Sequence, residues 1–192
     1  MLSISEKIIE DTERWSTEQD EQELTYYRRF ASLLDSLFNK SEIKLADGET
    51  ACDSSRVPIE VNKRLFNVDD VSPTYSRKID LILKYNDRKT VELCSNEWKR
   101  SKVNAELKIK QQSKNLRVNA LILDSLQAQY GPSFDTIMAI DMIGTNGYLY
   151  QLKKHDDYFV ATPHSTIVVP LKFNDLNCLK TLITSLFRFK EF

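Results

Sequence analysis

Glycine is scarce in this chain, four in 192 residues, and the glycine-rich signatures are missing with it. There is no Gly-X-X-X-X-Gly-Lys and no Gly-X-Gly-X-X-Gly, so folds that cradle nucleoside triphosphates or dinucleotides on backbone amides lack their loop. Histidine is scarcer still. His155 and His164 are the only two, both in turn-like surroundings and read as solvated. A histidine-metal nuclease and a serine triad are therefore disfavoured, and neither His-Glu-X-X-His, Gly-X-Ser-X-Gly nor a zinc-ligand spacing occurs. The three cysteines, Cys52, Cys94 and Cys178, show no Cys-X-X-Cys and no disulfide spacing, which suits a reducing compartment, cytosol or nucleus. No apolar run approaches the length of a membrane span. The opening Met-Leu-Ser-Ile-Ser-Glu-Lys-Ile-Ile-Glu-Asp carries charges where a secretory leader needs unbroken apolar residues.

What is present is the composition of a globular domain with a real core, 41 % hydrophobic and 29 % charged. The net charge of −1 argues against binding nucleic acid through bulk charge, but its distribution is uneven. Residues 6–23 are acidic. Residues 99–117 are basic, with Lys99, Arg100, Lys102, Lys108, Lys110, Lys114 and Arg117 against Glu106. Such a stripe is either a solvated helix face or a grip for a phosphate backbone.

Periodicity predicts helices over about 3–16 and 20–39, the second placing Leu24, Tyr27, Phe30, Leu34 and Leu37 at helical spacing. Residues 40–77 read as an irregular connection with a short helix near 50–56. A hairpin follows, with strands over about 78–85 and 90–98. A long helix runs over about 102–129 and ends at Gly131-Pro132. Strands are expected over 134–142, 148–153, 158–162 and 165–171, then an amphipathic helix over 174–189. Nothing divides the chain, so 1–192 reads as one domain: N-terminal helices over 1–40, a core over 45–150, and strands plus a closing helix over 151–192. The expected class is α/β (α+β), a mixed sheet flanked by helices. The closing helix, with Phe187, Phe189 and Phe192, is core or a surface for a homodimer.

The chemistry concentrates between Lys78 and Arg117. Asp80 interrupts Ile79, Leu81, Ile82 and Leu83 in a strand that otherwise reads as buried, and a charge there needs a partner. On the next strand stands Glu97-Trp98-Lys99. With Tyr85 opposite Thr90 across a four-residue turn, Asp80 falls opposite Ser95. Asp80 and Glu97 then become diagonal neighbours on one face, roughly 5–8 Å apart and able to share a cation. An odd loop would put them on opposite faces. Two carboxylates and the Trp98 carbonyl make a half-shell for a hard cation, Mg²⁺ or Mn²⁺. Lys99 would orient or deprotonate water, or stabilise the transition state. The plainer alternative is a strand with Trp98 inward and two charges outward. Glu92 is expected on the face opposite Glu97, in a structural role. Asp141, in an apolar strand, reads as structural, with a third metal ligand as the alternative.

The pattern of Asp80, then Glu97-Trp98-Lys99, then a helix with Lys, Gln and Arg resembles the PD-(D/E)XK superfamily, the restriction-endonuclease-like nucleases. The texture of Arg77–Leu81, Glu92–Lys99 and Gln111–Asn119 resembles uncharacterised fungal members akin to Crinkler-type effector nuclease domains. The resemblance spans about residues 45–150, and Ile79 stands where the motif has proline. It implies a metal-dependent nuclease acting on DNA, less readily RNA, inside the cell. Asp80 and Glu97 would bind Mg²⁺ or Mn²⁺ with Trp98, and Lys99 would serve catalysis. Lys102, Lys108, Lys110, Gln111, Gln112, Lys114 and Arg117 would meet the substrate, with Gln111, Gln112 or Lys108 reaching the site. An acid from the preceding helix, for which Glu49 is the candidate, would assist. Families of this kind include members without catalysis, so a module that only binds nucleic acid or protein is the other expectation.

Overall fold

The computed structural model of the chain describes residues 2–12, 21–66, 75–86 and 90–192. In chain order these form α1 (Leu2–Glu10), α2 (Glu23–Phe38), β1 (Ile43–Cys52), a 3₁₀ turn (Asp53–Ser55), α3 (Arg56–Phe66), β2 (Arg77–Asn86) and β3 (Thr90–Lys99). There follow α4 (Ala105–Tyr130), β4 (Thr136–Ile143), β5 (Asn146–His155), β6 (Tyr158–Val168), a second 3₁₀ turn (Phe173–Cys178) and α5 (Leu179–Glu191). Among the described residues the strands make one six-stranded mixed sheet in the order β1-β2-β3-β4-β5-β6. Every pairing is antiparallel except β3 with β4. The crossover between those two is α4, as a parallel pair requires.

The central strands are buried because helices cover both faces. Ile79, Leu81 and Ile82 of β2 are 0 % exposed, and Trp98 of β3 and Ile140 of β4 are equally enclosed. Helix α2 supplies one cover with Tyr26, Tyr27, Phe30, Leu33, Leu34 and Leu37, a stripe at helical period. Tyr27 meets Trp98 edge-on at 5.1 Å and Phe30 meets it at 5.8 Å between ring centroids. Helix α5 joins α2 through Phe38 and Phe189, 6.0 Å apart, so the closing helix belongs to the core. The opposite face is covered by α4 through Val118, Ile122, Leu123 and Leu126. Asn104 caps α4 by accepting from Leu107 N at 2.8 Å, and Gly131, at φ 96°, ends it.

Several expectations need correction. Residues 43–52 are not an irregular connection but edge strand β1, paired with β2. The short helix expected near 50–56 is met in part by the 3₁₀ turn Asp53–Ser55, which runs on into α3 from Arg56. The separate strands expected at 158–162 and 165–171 are one strand, β6, with a register shift between Leu149 and Tyr150 of its partner; His164 lies within it. Residues 13–20, at the end of the first expected helix, lie outside the described residues, as do 87–89 of the hairpin turn.

The largest correction concerns register. Asn86 pairs with Thr90, so the hairpin loop is odd, and Tyr85 faces Val91 rather than Thr90. Extended straight, that register would set Asp80 against Asn96 and turn Glu97 to the other face. A bulge intervenes: Lys84 pairs with Glu92 but Leu83 with Cys94, leaving Leu93 as an extra residue in β3. The last ladder pair is Leu81 with Asn96, which carried one step further sets Asp80 across from Glu97. The loop and the bulge each change the parity, and together they restore it. The same bulge brings Glu92 to the α4 side with Glu97, not to the opposite face.

Glu92 fastens that side of the sheet. Its carboxylate accepts from Asp53 N at 2.9 Å, Ser54 N at 2.9 Å and Ser54 Oγ at 2.7 Å, and Lys84 Nζ lies 3.7 Å away. Burial alone would raise this carboxyl, but the hydrogen bonds from Ser54 and Asp53 outweigh it and hold the carboxyl below its ordinary 4.5. Its contribution to stability is therefore present above about pH 4.5 and is lost as the pH falls through the lower native value. Glu92→Gln should cost about 1–3 kcal/mol near neutral pH. In urea melts the gap between wild type and variant should close on acidification; a gap independent of pH would refute this role.

Candidate metal and catalytic site

The site forms where β3 changes partner. Up to Asn96 it pairs with β2; from Glu97 onward it pairs with β4, through Glu97 with Asp141, Trp98 with Met142 and Lys99 with Ile143. Beyond Leu81, β2 pairs with β1 alone among the described residues. Asp80 sits at the parting and turns its carboxylate into the gap, where Oδ2 accepts the Trp98 backbone N–H at 2.8 Å. That bond answers the question posed by an acid in an apolar strand: it satisfies a backbone donor that no strand reaches. Asp80 also lines an open cleft with Gln22, Glu23, Leu24, Tyr27, Arg28 and Gly48, about 640 Å³ in volume.

The pairing sets three carboxylates on three adjacent strands: Asp80 on β2, Glu97 on β3 and Asp141 on β4. Glu97 is 1 % exposed and Asp141 2 %. Glu97 Oε1 lies 2.7 Å from Lys114 Nζ, an ion pair in distance, yet without an aligned hydrogen bond at that oxygen. Asp141 accepts from Gln111 Nε2 on one oxygen, while its Oδ2 is buried without a partner. Lys99 Nζ is shared between Glu23 Oε1 at 2.8 Å and the Trp98 carbonyl at 3.0 Å. Among the described residues no three His, Cys, Asp or Glu side chains already stand close enough to hold a metal ion. The donor chemistry nevertheless suits a hard cation: carboxylate oxygens, one of them buried and unpaired, beside a main-chain carbonyl.

Electrostatics follow from burial and crowding. Burial, reinforced by the charge of Asp80, pushes the Glu97 carboxyl up to about 7, against the pull of Lys114 and Lys99. Burial pushes Asp141 up to about 7 as well, against the lowering effect of the Gln111 and Asn115 amides. Asp80 is also raised by burial, despite the Trp98 N–H and Lys99.

The residues expected to meet substrate divide into groups. Lys114 is drawn to Glu97. Gln111 is 3 % exposed, and its amide faces Asp141 and the Met142 carbonyl rather than open space. Gln112 is half-buried. Lys110 pairs with Glu106 on the surface, and Arg117 donates to the Ser113 carbonyl one turn back. Lys102 and Arg117 are exposed and Lys108 half-buried. Glu49 lies in β1, not in a helix, and its side chain lies outside the described residues. The helical acid beside the site is instead Glu23, in the first turn of α2, which the sequence reading passed over. Its signal was available only as an acid opening an amphipathic helix. Gly144, at φ 60°, lets the β4–β5 turn donate to the Lys99 carbonyl at 2.6 Å, where a Cβ would stand 2.8 Å from that of Ser101.

No protein-family model, curated protein or solved structure matches the chain. No helix among the described residues is long and apolar enough to cross a membrane.

Glu97 and Asp141 have native values near 7, above their ordinary 4.5 and 3.8. The stability they contribute is thus full below those ordinary values and is lost as the pH rises through about 7. Urea melts of the metal-free chain should show wild type weakening from about pH 5 to about pH 8, with Glu97→Gln/Asp141→Asn clearly flatter. Parallel curves would mean that these carboxyls titrate normally.

Proposed function

We propose that the chain is a divalent-metal-dependent nuclease of restriction-endonuclease-like fold that hydrolyses phosphodiester bonds of DNA. The observation that carries this reading is that Asp80 and Glu97 stand one step beyond the last β2–β3 pair, Leu81 with Asn96, with Asp141 paired to Glu97 on the next strand and the Lys99 ammonium at the same strand ends. A buried group of acids is costly unless a cation offsets it, and an antiparallel hairpin, a crossover helix and a parallel strand are the frame that the PD-(D/E)XK resemblance implies.

Asp80 and Glu97, with the Trp98 carbonyl, would hold Mg²⁺ or Mn²⁺, and Asp141 would add a third carboxylate. When bound, such an ion lowers the pKa of its water and offsets charge on the phosphoryl oxygens. Lys99 already reaches the Trp98 carbonyl; released from Glu23, it would hold the attacking water or stabilise the charge that develops on phosphorus oxygens. Lys114 neutralises Glu97 without metal and would be freed toward a phosphate once a cation takes its place. Lys102, ahead of α4, and Lys108 and Arg117 on it would extend that grip.

A specific observation favours a second reading, a module that has kept the fold and binds without cutting. Lys114 pairs with Glu97, and the Lys99 charge favours the ionised form of all three carboxyls, so the site is tenable without metal. Plasmid DNA, single-stranded DNA and RNA incubated with Mg²⁺ or Mn²⁺ separate the two. Wild type should cut at least one, DNA being expected. Lys99→Ala should cut on the order of 10²-fold more slowly while still binding Mn²⁺, and Glu97→Gln should lose the metal. Folded wild-type chain that cuts nothing would favour the binding module.

A further inference from the structure

The inner face of α4 carries three amides, Gln111, Asn115 and Asn119, 3 %, 0 % and 0 % exposed. Spaced four apart, they form one stripe. A helix face laid on a sheet is ordinarily apolar, and a buried amide is destabilising unless paired, so the partners define what the stripe does. Asn119 accepts from Ser95 N at 2.8 Å and donates to Ser95 O at 2.9 Å. It therefore presents an acceptor and a donor to β3 as a neighbouring strand would. The Tyr150 hydroxyl, 2.7 Å from Asn119 Nδ2, anchors it from β5. Asn115 accepts from the Ser95 hydroxyl at 2.7 Å and donates to Ile140 O at 3.2 Å. Ile140 N in turn donates to Asn96 Oδ1 at 2.8 Å. Gln111 completes the stripe on Asp141 and on the Met142 carbonyl at 3.2 Å.

The backbone ladder between β3 and β4 begins only at Glu97 with Asp141. Immediately ahead of those two carboxylates, side-chain amides take the backbone groups of Ser95 and Ile140. We propose that the stripe is a positioning device: Asn115 and Asn119 stand in for a rung of β3–β4 pairing and hold the strands apart there. They thereby set how Glu97 and Asp141 face each other where the ladder closes. A side chain inserted between two backbones spaces them more widely than a direct N–H to O=C bond, so the width of the site is fixed from α4. Tyr150 fixes Asn119, and Asn115 holds the carbonyl of Ile140, the residue just before Asp141. The inference rests on the metal-site reading above and adds the residues that shape that site.

The test is calorimetric titration of Mn²⁺ into the full chain, comparing wild type, Asn115→Ala, Asn119→Ala and Leu126→Ala, with urea melts of each. Leu126 is a core residue of the same helix, 4 % exposed, so its truncation loosens α4 without touching an amide. The two asparagine variants should bind Mn²⁺ about tenfold or more weakly, the usual cost of losing an outer support of a metal site, while Leu126→Ala keeps wild-type affinity. Tyr150→Phe removes only the anchoring hydroxyl and should weaken binding by about twofold or more, which covers the case of an alanine variant that does not fold. Affinity unchanged in the amide variants, or lost equally in Leu126→Ala, overturns the positioning role. Wild-type chain that binds no Mn²⁺ overturns the metal reading, and the positioning role with it.

Discussion

Everything at the site depends on a single exchange of partners. Strand β3 leaves β2 after Asn96 and takes up β4 at Glu97, and the backbone N–H of Trp98, abandoned by one neighbour, is taken by the Asp80 carboxylate. A sheet that paired straight through would bury no acid at that point, because the ladder would use the donor and the pleat would have no gap. The parting creates both the place for a carboxylate and the reason for one. On the far side the same parting is bridged by amides from α4 rather than by backbone. Strand, acid and helix are three answers to one problem of unsatisfied hydrogen bonds.

The electrostatic consequence is a local imbalance inside a nearly neutral chain. Buried Glu97 and Asp141 stand near half-buried Asp80, and two ammonium groups, Lys99 and Lys114, approach them from opposite elements. Each ammonium is half-exposed rather than enclosed, with side-chain exposures of 28 % and 31 %, so each can leave without being dragged through the core. Burial holds the Glu97 and Asp141 carboxyls near 7, with the two part-exposed ammonium groups beside them. Together they explain why net charge said so little: what matters is where Asp80, Glu97, Asp141, Glu23, Lys99 and Lys114 converge, not the sum over the chain.

Much of this was legible in the sequence because it was local. An acid breaking Ile79-Asp80-Leu81-Ile82 announces a buried partner, Glu97-Trp98-Lys99 sets alternating faces, and α4 carries its own stop in Gly131, whereas its start at Ala105 behind the Asn104 cap was placed a few residues early. What was hidden was non-local or weakly patterned. The Leu93 bulge sits between apolar residues and leaves no mark on the alternation, so the shared face of Asp80 and Glu97 was reached from a register that the hairpin does not have. Edge strand β1 is paired on one side and polar enough, through Lys44, Asp47 and Thr50, to read as a loop. The nearness of Asp141 comes from a parallel pairing across α4. Glu23 meets Lys99 across 76 positions of sequence, a distance over which no periodicity speaks.

The central claim is that Asp80 and Glu97 jointly hold a divalent cation at the parting of β2 and β3. Crystals of the chain soaked in Mn²⁺ and measured for anomalous scattering test it without recourse to activity. The expected result is one strong peak within coordination distance of both carboxylates, roughly 2.0–2.2 Å for a hard cation, with Lys114 displaced from Glu97. A peak bound elsewhere, or none at saturating Mn²⁺ with Lys114 still on Glu97, would contradict it.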